Sequence, residues 1–490
     1  MGQINFVDTT LRDGHHSLWA MGMRTGMMVP VASKMDEAGF RAIEVFGGGH
    51  FRKCIRELKE NPWERIRLMA DQVKSTPLAF MMLPSVSVFD VTPYSVLRVY
   101  IERLVAHGIG RIQIIESSND FNNRIPQVLK MIKSHGLQTI IGLVYSISPK
   151  HTDEYYASKT AQAASLNPTA IFIKDPSGLM IPERVKTLVP AVLSHAKKVP
   201  VEFHGHCSTG LMPVCYVEAM KQGIEIFHTA LPPLANSSSQ PSIFNIAKNA
   251  RILDFNSTID LESLENVSKH FLEIAERENL PIGVPTEYDV SQYVHHVPGG
   301  VISHLKHQLT EMGVVDRFDE VLDEIGRVRA ELGYPIMVTP FSQFVSTQAT
   351  LNVITGVRYK QIPDEIIQLV MGHWGESAVE DIDPEIKDKI SNSPRAKFFK
   401  SLNQKEPDIS EIRARLGGPN LSDDDLILRY IAPQSEVDDM YLTGPAKMYE
   451  TGKSSMAHLM RELLKRDQFH YISLQSKTGS MTFNSSSRNA

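Results

Sequence analysis

The first part of the chain repeats a short apolar, β-branched run followed by a longer stretch with helical spacing. Eight such runs are INFVDTT from Ile4, RAIEVFGG from Arg41, PLAFMML from Pro77, RIQIIE from Arg111, QTIIGLVYS from Gln138, AIFIKD from Ala170, PVEFHGH from Pro200 and EIFHTA from Glu225. Several of the helical stretches between them, such as SVLRVYIERLVAHG, end on glycine, as helix C-termini often do. Eight consecutive strand–helix units predict a closed parallel (β/α)₈ TIM barrel.

The pattern changes after residue 290. Helical spacing dominates in VISHLKHQLTEMG, FDEVLDEIGRVRAELG, DEIIQLVMGHWG and AHLMRELLKRDQF, and the chain finishes in a Ser-rich segment. We therefore predict an α/β protein with a barrel domain over residues 1–290, a mainly helical domain over 291–470 and a disordered tail over 471–490.

Composition excludes several classes of function. The formal net charge of −5 gives no basic surface for nucleic acid. No apolar run reaches the roughly 20 residues that span a bilayer, and the N-terminus does not resemble a signal peptide. The three cysteines, Cys54, Cys207 and Cys215, show no disulfide pattern. We expect a cytoplasmic protein without nucleic-acid or membrane partners.

The strongest candidate for chemistry is FHGHCSTG, at the end of the seventh predicted strand. His204 and His206 are two residues apart, so on a strand both imidazoles face the same way. The carboxyl ends of barrel strands build the active site, and imidazole is a common ligand for divalent transition metals. A lone His-x-His pair is a weak signal, but its position favours a metal site.

A second polar segment, DTTLRDGHHS, ends the first predicted strand. It supplies the carboxylates of Asp8 and Asp13, together with Arg12, His15 and His16. A carboxylate here faces the same end of the barrel as the histidine pair. The alternative is that Asp13 and Gly14 form a turn with Arg12 as an ion-pair partner, which does not explain the polarity of the whole segment.

Lys174 ends the otherwise apolar run IFIKD, where a charged group is costly unless it is paired or used. Such a lysine can act as a Schiff-base amine, or react with CO₂ to form a carbamate that binds metal as a carboxylate does. The structural alternative is an ion pair with Asp175.

Together these motifs resemble the carboxyltransferase domain of biotin-dependent enzymes: pyruvate carboxylase, the oxaloacetate decarboxylase α subunit and the transcarboxylase 5S subunit. The likeness runs from FVDTTLRDGHHSLWA through EVFGGGHF, CIRELKENPWERIR, SPKHTDEYY, IKDPSGL, HGHCSTG and SSSQPS, then into PGGVISHLKHQL and VTPFSQFVSTQA. It covers roughly residues 3–470. It implies a barrel followed by a helical funnel domain, usually in a homodimer.

The resemblance also implies a set of functional residues. The metal, Zn²⁺, Mn²⁺ or Co²⁺, would be bound by Asp13, carbamylated Lys174, His204 and His206. Ser238 falls where the family has a threonine that shuttles a proton between biotin and substrate, and a serine hydroxyl can do the same. Catalytic roles are therefore expected for Ser238, Arg12 and Lys174.

The positions that line the substrate site depart from the family. Pro84 replaces the arginine that grips the keto-acid carboxylate, and His16 replaces a substrate-side glutamine. Glu116 stands for an aspartate, and His50 is introduced in GGGH. Because proline cannot bind a carboxylate through two hydrogen bonds, these four residues predict a substrate site for an acceptor other than pyruvate.

The sequence contains no Ala-Met-Lys-Met biotinylation motif. The resemblance thus implies a carboxyltransferase subunit that moves CO₂ between carboxybiotin and a small enolisable acceptor. The biotin would be attached to a separate biotin carboxyl carrier protein, and a biotin carboxylase subunit would carboxylate it. The metal would stabilise the enolate, Arg12 would face anionic substrate, and the reaction can also run as a decarboxylation. The alternatives are a biotin-independent metal-dependent lyase or aldolase, and a non-catalytic structural subunit.

Overall fold

Eight parallel strands form the centre of the fold in the computed structural model, which describes residues 2–86, 91–290, 293, 305–306, 308–401, 406–449, 471–476 and 479–484. The strands are β1 (Asn5–Asp8), β2 (Ala42–Gly47), β3 (Leu78–Met82), β4 (Arg111–Ile115), β5 (Gln138–Val144), β6 (Ala170–Asp175), β7 (Val201–Gly205) and β8 (Ile226–Thr229). They pair in sequence order and β8 pairs with β1, which closes the barrel. The predicted TIM barrel and its eight strands are confirmed.

Helices follow the strands around the barrel. They are α1 (His15–Leu18), α2 (Thr25–Glu37), α3 (Gly48–Lys53), α4 (Pro62–Gln72), α5 (Tyr94–Ala106), α6 (Arg124–Lys133), α7 (Asp153–Ser165), α8 (Pro182–His195), α9 (Met212–Lys221), α10 (Ile243–Ile252) and α11 (Leu261–Glu278). Two short π-helical turns, Thr10–Gly14 and Cys54–Leu58, also occur.

Capping side chains explain where several of these helices begin. The Asn61 side chain accepts the backbone N–H of Trp63, and Pro62 occupies the first helical position of α4, where no N–H is needed. Asp260 caps α11 in the same way by accepting the N–H of Ser263. Each of these two helices therefore begins directly after the residue that caps it.

The chain then continues as helices, as the sequence predicts. They are α12 (Phe318–Glu331), α13 (Phe341–Thr355), α14 (Asp364–Val370), α15 (Pro384–Ser391), α16 (Pro394–Ser401), α17 (Ile409–Leu416), α18 (Asp423–Ile431) and α19 (Gln434–Thr443), with 3₁₀ turns at Val315–Arg317 and Glu376–Ala378. Of the predicted helix VISHLKHQLTEMG, residues 305–306 and 308–313 are described, and 305–306 and 308–311 are helical. The predicted helix AHLMRELLKRDQF lies outside the described residues. Among the helices that the structure describes, none is long and apolar enough to cross a membrane.

The structure divides into two compact units, Met1–Met448 and Tyr449–Ala490. The first holds both the barrel and the helices that follow it, so the boundary at residue 290 stays a prediction. The second contains an antiparallel pair of strands, β9 (Tyr471–Ser476) and β10 (Gly479–Asn484), with Tyr471 opposite Asn484. These two strands fall within the tail that the sequence predicts to be disordered, and the alternation of apolar and polar residues in YISLQS and SMTFN is the strand pattern.

Candidate active site and metal centre

Three predicted metal ligands converge at the carboxyl ends of β1 and β7. Asp13 Oδ2 lies 3.0 Å from His204 Nε2 and 3.4 Å from His206 Nε2. The two Nε2 atoms are 3.4 Å apart. All three side chains are buried, and their donor atoms are close enough together to hold a single metal ion. Two imidazoles and a carboxylate suit a divalent transition metal.

Lys174, at the end of β6, reaches the same place. Its Nζ lies 3.0 Å from His204 Nε2 and 3.4 Å from Asp13 Oδ2. The alternative ion pair with Asp175 is not what the structure has, because the Asp175 carboxylate accepts the backbone N–H of Met180 instead. Burial lowers the pKa of the Lys174 ammonium, although the Asp13 carboxylate opposes that shift.

The second nitrogen of His206 fixes the direction of its ligand atom. His206 Nδ1 lies 2.7 Å from the carbonyl oxygen of Ser238, so this nitrogen donates and Nε2 keeps its lone pair toward Asp13. Gly178 makes this arrangement possible: its φ is +68°, and a Cβ there would come within 2.4 Å of the His206 carbonyl oxygen. The Ser238 hydroxyl donates to the Ser17 carbonyl oxygen at 3.0 Å.

Gln240 is a member of the site that the sequence analysis missed. Its Nε2 lies 3.2 Å from Asp13 Oδ2, 3.3 Å from His204 Nε2 and 3.1 Å from His206 Nε2. Thr9 donates to its Oε1 at 2.8 Å, which orients the amide. The motif SSSQPS contains Gln240 two residues after Ser238, and this proximity was the available signal.

Arg12 is held by two carboxylates. Its guanidinium lies 3.1 Å from Asp13 Oδ1 and donates from Nε to Glu44 Oε2 at 2.7 Å. The other Glu44 oxygen accepts from Gln113 at 2.7 Å and lies 3.2 Å from His228 Nδ1. Burial alone would raise the pKa of Glu44, but the Arg12 charge and the His228 contact hold it below its ordinary value.

The network continues below the ligands inside the barrel. His228 Nε2 lies 2.9 Å from Glu202 Oε2, and Glu202 also pairs with Arg111. Burial lowers the pKa of His228, but hydrogen bonds to Glu202 and Glu44 outweigh it and raise the value. His228 Nδ1 is 3.1 Å from His204 Nδ1, so the network touches the back of a predicted ligand. Glu44, His204 and His228 could themselves hold a metal by geometry, but Arg12 and Glu202 already neutralise Glu44 and His228.

His16 and His50 lie close together, next to His15. The ring of His50 is 5.4 Å from that of His16 and 5.0 Å from that of His15. Burial lowers the pKa of His15 and of His50, so both are neutral near pH 7. Among the described residues, these three do not form a metal-holding group.

Pro84 and Glu116 lie in a different place, where both line one cavity beyond the ends of β3 and β4. Glu116 Oε2 accepts from the backbone and hydroxyl of Ser118 at 3.1 and 2.9 Å, and from the Asp120 N–H. Burial nevertheless raises the pKa of Glu116 to about 7. The four predicted substrate residues therefore form two groups and not one.

Solved structures have the same fold. The chain superposes on a variant carboxyl transferase domain of Rhizobium etli pyruvate carboxylase, solved with pyruvate, with a TM-score of 0.82. The match covers 98% of this chain and 84% of that one at 20% identity, which supports the fold alone.

Sequence comparison identifies the family. A family model described as HMGL-like matches residues 3–270, and one described as a conserved carboxylase domain matches residues 293–457. A pyruvate carboxylase subunit of Methanocaldococcus jannaschii is 36% identical over 79% of this chain and 68% of its own length. The 2-oxoglutarate carboxylase large subunit of Hydrogenobacter thermophilus is 31% identical over 85% of this chain and 63% of its own length. The chain belongs to the biotin-dependent carboxyltransferase family and is an enzyme of that class.

Proposed function

We propose that this chain is a carboxyltransferase subunit that moves a carboxyl group between carboxybiotin, on a separate carrier protein, and a small enolisable acceptor other than pyruvate. The observation that carries the proposal is the convergence of Asp13, Lys174, His204 and His206 within 3.0–3.4 Å at the carboxyl ends of three strands. Such a group in a barrel mouth is the place where this family's chemistry is expected.

A divalent Zn²⁺, Mn²⁺ or Co²⁺ ion suits the donor set of Asp13, Lys174, His204 and His206. When bound, it would act as a Lewis acid on a substrate oxygen. Metal analysis of the purified protein is expected to give one equivalent, with loss in His206→Ala. The exposed His195 gives the matched control, because His195→Ala leaves the donor set intact. Full occupancy in His206→Ala would refute the assignment.

Lys174 enters this donor set as a carbamate in our proposal. Its buried Nζ has a lowered pKa, and only a neutral amine attacks CO₂; the new N–C bond gives a carbamate anion and releases one proton. We expect metal-loaded protein supplied with ¹³C-bicarbonate to show a carbamate ¹³C signal that is absent in Lys174→Ala. A metal-loaded protein without that signal would contradict the modification.

Ser238 is proposed to move the proton, and Arg12 to hold Asp13 in place. Ser238 is half-buried, and its backbone carbonyl oxygen lies 2.7 Å from His206 Nδ1. The Arg12 guanidinium is paired with Asp13 and Glu44. This favours a positioning role for Arg12 over direct contact with substrate. Ser238→Ala is expected to lower turnover about 10²-fold or more. Ser237→Ala is the control, because the neighbouring Ser237 hydroxyl donates to the Val284 carbonyl oxygen instead.

The exclusion of pyruvate rests on Pro84. A charge-assisted contact to a carboxylate contributes ~1.5–3 kcal/mol, or roughly tenfold to a hundredfold in rate. Pyruvate–oxaloacetate isotope exchange should therefore be slow in the wild type and faster in Pro84→Arg. Rapid exchange by the wild type, without gain in Pro84→Arg, would show that pyruvate is an ordinary substrate.

Separate biotin carboxylase and carrier proteins, and a homodimeric assembly, complete the proposal. Names of relatives support the multi-subunit arrangement, since both the archaeal pyruvate carboxylase relative and the 2-oxoglutarate carboxylase relative are named as single subunits. Addition of biotinylated carrier should be necessary for turnover in either direction. Carrier-independent cleavage of an acceptor would instead favour a metal-dependent lyase.

A further inference from the structure

A cavity lies between the ends of β3 and β4 and the start of α13. Its lining is mainly apolar and includes Leu83, Pro84, Val91, Pro340, Phe341 and Trp374. The cavity opens at Pro84, where the resemblance would place the family's carboxylate-binding arginine.

The apolar lining continues toward the predicted metal ligands. Leu83 packs against a buried cluster that includes Ile115 and Phe172. The Phe172 ring in turn meets the His204 ring edge-on, with centroids 6.1 Å apart. Apolar packing inside the barrel therefore runs from the cavity wall at Leu83 to His204.

Two polar groups on the cavity wall have unused hydrogen-bond donors. The Nε1 of Trp374 and the Nε of Arg124 are buried and have no partner among the described residues. The Arg124 guanidinium donates to the Thr92 carbonyl oxygen and lies 4.5 Å from the centroid of the Tyr94 ring, and no carboxylate of the described residues pairs with it. A buried donor without a partner is costly, and an arginine without a counter-ion suits a carboxylate.

The acidic groups of the cavity do not supply that counter-ion. The Glu116 carboxyl is committed to Ser118 and Asp120. Asp120 accepts the backbone N–H groups of Asn122 and Ser377. Both carboxyls thus already accept hydrogen bonds from other parts of the chain, which leaves the apolar wall and the donors of Arg124 and Trp374 for a ligand.

We propose that this cavity holds the distal part of the carboxyl acceptor, and that the acceptor is a carbonyl compound with an apolar, aromatic or branched aliphatic substituent and a carboxylate recognised by Arg124. The apolar substituent packs on Pro84, Phe341 and Trp374. This inference rests on the proposed function for the identity of the ligand as the acceptor, and on the cavity alone for the binding.

Three probes separate the two features of the acceptor. Phenylpyruvate carries both the aromatic ring and the carboxylate, pyruvate lacks the ring, and phenylacetone lacks the carboxylate. Isothermal titration of the full-length protein is expected to give a Kd for phenylpyruvate at least tenfold lower than for either of the other two. Equal affinity for pyruvate and phenylpyruvate would overturn the proposal.

Variants then locate the binding. Arg124→Gln should weaken phenylpyruvate about tenfold and leave phenylacetone unchanged, because only the first has a carboxylate. Arg103→Gln is the matched control, since Arg103 pairs with Asp424 outside the cavity. If Arg124→Gln weakens both probes equally, or neither, the carboxylate is not bound by Arg124 and the proposal fails.

Tryptophan fluorescence gives an independent location. The sequence has three tryptophans, of which Trp374 lines the cavity, whereas Trp63 donates to the Asp424 carbonyl oxygen elsewhere. Phenylpyruvate should change the emission of the wild type and of Trp63→Phe but not of Trp374→Phe; a change that persists in Trp374→Phe overturns the location. None of these measurements needs carrier or turnover, so they test the cavity as a binding site independently of the proposed function. A separate assay with biotinylated carrier tests that function: if phenylpyruvate binds but no carboxyl group is transferred to it, the cavity remains a binding site and its ligand is not the acceptor.

Discussion

Glu44 joins the predicted metal ligands to the charged interior of the barrel, and its replacement by glutamine is the sharpest test of that network. The carboxylate is fully buried and contacts Arg12 at 2.7 Å, Gln113 at 2.7 Å and His228 at 3.2 Å. Glutamine keeps the shape of the side chain but removes the charge. Its amide group would also present donors to the donors of Arg12.

The expected loss is large because one partner of a buried ion pair is left uncompensated. Removal of such a partner costs about 3–5 kcal/mol of unfolding free energy. In Glu44→Gln, the Arg12 charge would rely on Asp13 alone, 3.1 Å away, and His228 on Glu202. Asp13 would then be drawn more strongly toward Arg12, so metal affinity should fall as well.

Urea unfolding at pH 7, followed by circular dichroism, measures the change in free energy, and metal titration measures the second effect. Glu57→Gln is the matched control: Glu57 pairs with Lys53 at the surface, with its side chain about half exposed. Exposed pairs contribute ~0–1 kcal/mol. A loss below about 1 kcal/mol in Glu44→Gln, with the fold intact, would show that the network does not stabilise the barrel.

Two further predictions concern other buried charges. Burial raises the pKa of Asp8 to about 7, so between about pH 4 and pH 7 the carboxyl is protonated in the folded state and ionised in the unfolded state. Its contribution to the free energy of unfolding is therefore fully present below about pH 4 and decreases as the pH rises to about 7, by up to ~4 kcal/mol. Asp8→Asn should remove that slope in urea unfolding between pH 4.5 and 8, and an unchanged slope would exclude Asp8 as its source. Arg329 donates to Ser146 and Ile147 at 3.0 and 2.9 Å and links α12 to the loop after β5, so Arg329→Met should lower thermal stability by about 2–4 kcal/mol. The exposed neighbour Arg327 on the same helix is the control, and equal effects of Arg327→Met and Arg329→Met would refute the link.

The strands and most helices were predictable because the signals that specify them are local. The period of the apolar residues predicted all eight strands, and capping residues such as Asn61 and Asp260 mark helix starts. The spacing of His204 and His206 places both imidazoles on one face of β7, so that part of the site could be predicted from two residues alone. The sequence analysis did not predict the β9–β10 pair, because the Ser-rich composition of this segment favours disorder although its apolar and polar residues alternate.

The rest of the site depends on residues that are far apart in the sequence. Gln240 reaches Asp13 across 227 positions, and Arg12 is paired with Glu44, a residue of the next strand. No local pattern distinguishes a carboxylate that binds Arg12 from one that ends a strand. The barrel decides this, because it closes β1 on β8 and brings the ends of all eight strands to one mouth.

The same reasoning applies to the acceptor. Pro84 cannot bind a carboxylate in the way an arginine does. This conclusion follows from the chemistry of proline and needs only the sequence. What replaces the lost contact depends on the folded chain. Folding packs Phe341 and Trp374, about 260–290 positions further along the chain, against the end of β3 and leaves a cavity with the Arg124 guanidinium on its wall. Local periodicity specifies each element, whereas the shape and charge of a cavity depend on how distant elements pack, and that packing exists only in the folded chain.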